Sequence, residues 1–197
     1  MDRVGTDPTV VQKRTNMYGT LGITLKDIQC LTRWGRVAFA ARCARRAQQV
    51  LERLGMDAGN PSFKICEDAL QLAEDSAARA LPEDQLDQAM MGLSKLAVSA
   101  VTPPEGVPAF SLEAPDGTDL IVYNVAHAAF AATRAAQFDS LESVLDAVDH
   151  ALEAASIAGF RETARCIRLD YDGIYQATVL SGWTDASPVS SSPFASA

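Results

Sequence analysis

Few residues of this sequence could carry chemistry: two histidines, four cysteines and a stripe of arginines in the first third of the chain. A nucleophile needs a base within reach, and acid–base work needs two groups aimed at one bond. Cys30, Cys43, Cys66 and Cys166 stand far apart, without a Cys-x-x-Cys pair, and His127 and His150 are not at a ligand spacing. That pattern argues against a zinc site or a thioredoxin-like redox pair. Cys43, Cys66 and Cys166 fall at apolar positions of helical patterns, where a reduced cysteine acts as a small hydrophobe. Asp170 and Asp172 are the one short carboxylate pair on a face shared with arginines, but side chains two apart on a helix diverge. No Gly-x-Ser-x-Gly, P-loop or Rossmann fingerprint occurs. The expectation is a chain without a catalytic set, metal or cofactor.

Two residue groups remain as candidate binding sites. Arg42, Arg45, Arg46 and Arg53 lie on one amphipathic segment and could meet a protein partner. The competing reading is that they pair internally with Glu67, Asp68 or Glu74. Tyr123, His127, Phe130 and Tyr171 could line a small-molecule pocket between helices, the alternative to a protein-binding role. His127, between two aromatics at helical spacing, also suits a packed, hydrogen-bonded histidine, and histidine's pKa alone makes it only a candidate. His150, beside Asp146, Asp149 and Glu153, reads as part of a solvated acidic face.

The net charge of −8 is unevenly spread: residues 1–60 carry ten Lys and Arg against five Asp and Glu, the remainder seven against twenty. Such a chain can pair its own basic and acidic faces or offer either to a partner. Interleaved aromatics, glycine loops and nucleic-acid motifs are missing from the basic stripe, so nucleic acid is not the expected partner. No apolar run reaches the roughly 18–20 residues that span a bilayer, and Met1 to Pro8 lacks the apolar core of a signal peptide. The expected setting is cytoplasmic, away from membranes.

The elements that position these residues are helical. In residues 36–54, Val37, Ala40, Ala44, Ala47, Leu51 and Leu54 form one seam, and Phe39, Cys43 and Val50 a second stripe. So broad an apolar circumference demands several neighbours, which places this helix at the centre. Before it, residues 1–30 read as an N-terminal arm, with Thr24 and Asp27 capping a short turn that carries Ile28 and Leu31 inward. Asn60-Pro61 starts a second helix running to about Ala80. A third, carrying Leu86, Ala89, Met90, Leu93, Ala97 and Ala100, follows a short link at Leu81-Pro82. Residues 102–117 hold four prolines and form a long loop, or a small hairpin about Pro115-Asp-Gly. A fourth helix spans about Thr118 to Gln137. Asp139-Ser-Leu-Glu142 reads as a capping box for a fifth, which ends at Gly159, and a sixth starts near Phe160. The fold expected is all-α: a compact bundle of about six antiparallel helices forming a single domain over residues 31–183, followed by a disordered tail over 184–197.

Arg36-Val-Ala-Phe-Ala-Ala-Arg-Cys-Ala-Arg-Arg, the helix about Ala69, Ala73 and Glu74, the Ala-rich stretch 126–136 and the ending Asp170-Tyr-Asp-Gly-Ile174 with Gly182-Trp-Thr-Asp-Ala-Ser-Pro-Val189 carry a resemblance. They resemble alanine-rich, all-helical bacterial proteins of planctomycete-like and other large genomes, for which no activity is known. The resemblance spans residues 34–189 and implies a helical fold without naming catalytic residues. With it, the residues point to a non-enzymatic protein–protein interaction module. It would bind itself or serve as an accessory or regulatory subunit of a bacterial signalling or conflict system.

Overall fold

In a computed structural model of the protein, residues 21–102 and 117–190 are described, and all regular structure among them is helical. The first 20 residues, the proposed loop or hairpin over 103–116 and the end of the tail at 191–197 lie outside the described residues. Helix α1, Leu25–Cys30, is closed by the expected capping box: Asp27 N donates to Thr24 Oγ1 and Thr24 N to the Asp27 carboxylate, at 3.2 and 2.7 Å. Ile28 and Leu31 are buried.

Helix α2, Arg33–Arg53, begins a turn earlier than the periodicity indicates, because Thr32 caps it by accepting from Gly35 N and Trp34 packs into the core. Gly55, at φ 84°, ends it, with Met56 N bonded back to Leu51 O. That left-handed turn costs glycine nothing. Helix α3, Pro61–Arg79, starts on Asn60, whose side chain accepts from Ser62 N and Phe63 N. Helix α4 spans Leu86–Val101, α5 Gly117–Phe138, α6 Leu141–Ile157 and α7 Thr163–Thr178. Phe160 sits in the turn before α7 rather than inside it.

The expected central position of residues 36–54 is what the packing shows: α2 touches α3, α5, α6 and α7. Ala38, Ala40, Ala41, Ala44 and Ala47 are fully buried, and two of the helices packed on α2 also bury alanines, Ala126, Ala128, Ala132 and Ala135 in α5 and Ala147, Ala151 and Ala154 in α6. Small side chains let helix axes approach toward the short end of roughly 8–10 Å. Helix α4 lies at the edge, packed on α3 and α5.

Two expectations need correction. Asp139 is not the cap of α6. Ser140 is, accepting from Ser143 N at 3.2 Å. Asp139 turns the corner at φ 49° and gives its carboxylate to Arg36, Nη2 at 2.7 Å. An N-cap residue needs extended backbone, so the left-handed corner excludes Asp139 from that role. Residues 184–190 are also not a disordered tail. Asp185 accepts from Arg33 N at 2.6 Å, Val189 N donates to Ala77 O at 2.8 Å, and the Val189 side chain is buried. This strap joins the start of α2 to the last turn of α3.

Candidate functional site

The arginine face of α2 lies between α3 and α7, and both supply carboxylates. Arg45 Nε and Nη2 donate to the two oxygens of Glu74, both at 2.9 Å, and Nη1 donates to Gln48 and to Glu67. Gln48 bonds the same Glu67 oxygen at 2.8 Å. On the other side Arg46 forks onto Asp170 of α7 at 2.8 and 3.0 Å. Arg53, the last residue of α2, reaches Glu162 and rests on the Phe160 ring at 4.8 Å. The internal pairing weighed against docking is thus present for Arg45 with both Glu67 and Glu74, whereas Asp68 pairs with Lys64.

Arg42 sits among these pairs, 7 % exposed, and its Nε and Nη2 are buried without a hydrogen bond. Burial lowers its pKa, only partly opposed by Asp170 and Glu74. Burial also works against the charge of Arg45, yet its bonds to Glu74 and Glu67 outweigh that and hold the guanidinium above its ordinary value. Asp170 does the same for Arg46. Three arginines face three carboxylates here, so the cluster is neutral and offers little net field to an outside anion.

The pocket candidates divide. Tyr123, His127 and Phe130 share one side of α5, with Tyr123–His127 centroids 4.4 Å apart and His127–Phe130 6.4 Å. Helix α6 adds His150, stacked on His127 at 4.9 Å and edge-on to Tyr123. Asn124 Nδ2 donates to Leu120 O, which leaves its Oδ1 to accept from His150 Nδ1 at 2.9 Å. Burial depresses the His127 pKa, against the opposing charge of Asp146. Tyr171 is elsewhere: it packs edge-on against Phe39 at 5.6 Å and donates its hydroxyl to Asp27 O at 3.0 Å. The four residues do not line one pocket. His150 escapes the sequence reading because its own helix surrounds it with acids, and only the α5–α6 pairing brings it over His127.

Two open clefts flank Phe160 instead. One, about 320 Å³, is lined by Arg46, Arg53, Glu162 and Cys166; the other, about 500 Å³, by Leu152, Ala155, Gly159 and Ala164. The cysteines are free thiols, and burial raises the pKa of Cys43 and pushes that of Cys66 up to about 12. No group of three His, Cys, Asp or Glu among the described residues could hold a metal ion. No helix among them is long and apolar enough to cross a membrane.

Another surface lies at the bundle edge. Leu86, Leu93, Leu96 and Ala97 turn α4 inward, which leaves Met91, Val98 and Val101 outward, the first two 60 and 58 % exposed. Ile65 of α3 adjoins Gly92 of α4, its Cγ2 lying 3.8 Å from where a Cβ on Gly92 would stand. The signal was present in the sequence as apolar residues lying off the inward stripe. Comparison of the chain with models of known protein families, with curated proteins and with solved structures finds no match.

Proposed function

We propose that this chain is a non-enzymatic helical module that works by binding a protein, and that the partner docks on the outward face of α4. The observation that supports this reading is the exposure of Met91 and Val98 on a helix whose neighbours, α3 and α5, both lie behind it. Single exposed apolar residues are ordinary, whereas several on one ridge form the kind of patch that marks interaction sites. The arginine face is less suited to the task. Recruiting Arg45 or Arg46 to a partner would strip Glu74 or Asp170 of its hydrogen bonds, and carboxylates this little exposed are costly to leave unpaired.

The test is a photo-crosslinking amino acid placed at Val98 in the cells that make the protein, with Arg165, exposed on α7, as the control position. Protein adducts from position 98 and none from 165 are expected. No adducts from 98, or equal adducts from both, would remove α4 as the docking face.

A further inference from the structure

We infer that the partner for this face is a second copy of the chain, held in an antiparallel α4–α4 contact whose two-fold axis passes beside Met91. The inference rests on the reading of α4 as the docking face, and charge decides its register. In an isologous antiparallel pair centred on one residue, each position before the centre meets the position equally far after it on the other copy. Asp87 and Lys95 stand four residues to either side of Met91, one turn away along the same ridge. Both are exposed, and neither has an ion-pair partner among the described residues. Centring on Met91 sets Asp87 against the partner's Lys95 and Lys95 against the partner's Asp87, two equivalent pairs around a methionine contact.

Registers a full turn away and the parallel arrangement are repulsive. Shifting the axis one turn sets Lys95 against itself or Asp87 against itself, and a parallel pair does both. Like charges brought together select against those arrangements. Methionine at the axis adapts to an irregular surface. A single helix face is smaller than the roughly 1,200–2,000 Å² of a stable interface, so the association is weak and concentration-dependent.

Sedimentation velocity of the full chain over a concentration series tests this. A reversible monomer–dimer equilibrium is expected, and Met91→Lys abolishes it. Asp87→Lys and Lys95→Asp each weaken it by about tenfold or more, since each turns two attractive contacts into two repulsive ones. The double swap Asp87→Lys with Lys95→Asp regains most of the affinity. Circular dichroism melting of each variant checks that these exposed changes leave the fold intact. A chain that stays monomeric throughout, or a double swap as weak as the single changes, overturns the inference. If the chain is monomeric while position 98 still crosslinks to a different protein, the self-pairing falls and the docking face stands.

Discussion

Arg46 and Asp170 meet across the α2–α7 interface as a two-bond fork, with side chains only 10 and 4 % exposed. They are 124 residues apart in the chain. This pair fixes α7 against the central helix, and it shares its carboxylate's field with the buried, unbonded Arg42. Asp170→Asn therefore leaves two buried guanidinium groups without their counter-charge. Breaking one partner of a buried pair costs about 3–5 kcal/mol, and urea denaturation should show a loss of that size. Glu162→Gln, which breaks an exposed pair with Arg53, should leave the denaturation midpoint unchanged.

The His127 imidazole supplies a pH dependence with a definite sign. Burial lowers its pKa in the folded chain, so the unfolded chain binds the proton more readily. Stability is then complete above the unfolded histidine value of about 6.5 and falls as the pH drops below it. His150, Tyr123 and Asp146 face the ring, and Asp146 alone favours the charged form. Melting temperature measured from pH 7.5 down to pH 5 should decline, and His127→Phe should flatten part of that decline. An unchanged slope in the variant would assign the effect elsewhere.

At Gly92 the helix carries a residue that weakens it without any left-handed backbone to justify it. An added Cβ would stand 3.8 Å from Ile65, an ordinary van der Waals distance. Gly92→Ala is expected to raise the stability of the monomer by about 0.5–1 kcal/mol. Thermal denaturation at low concentration measures this apart from any self-association.

The strap over 184–190 is held by one apolar anchor, Val189. Val189→Asp would bury a charge with no partner or expel the segment, forfeiting the roughly 1.5–3 kcal/mol that a buried valine contributes. Limited proteolysis should then cut the variant near residue 185 while the parent chain resists.

The helices and the central place of α2 were legible because apolar residues at helical spacing report directly on burial. Alanine and leucine at 40, 44, 47 and 51 leave few other arrangements. Arg45 could be matched to Glu67 and Glu74 because α3 follows α2 through a short turn. Arg46 could not be matched to Asp170, since nothing local in either segment encodes a contact between helices so distant in the chain. The same limit hid the His127–His150 stack. Val189 was missed for a different reason: one apolar side chain among serines and prolines has no period to reveal it, and its segment is tied to Ala77 of α3, over one hundred residues away. Asp139 misled because a short acid before a helix suits a cap, and the guanidinium of Arg36 that claims it comes from over one hundred residues away.

The methyl groups that line α2, α5 and α6 carry a mechanical consequence. Alanine surrenders no rotamer freedom when it is buried, and it has none to exchange afterwards. Most of this interior cannot answer a disturbance by flipping side chains from one staggered position to another, as a leucine-filled interior does. A structural response to a bound protein then travels as the displacement of whole helices, and α4, at the edge of the bundle against α3 and α5, is the rod such a partner would push.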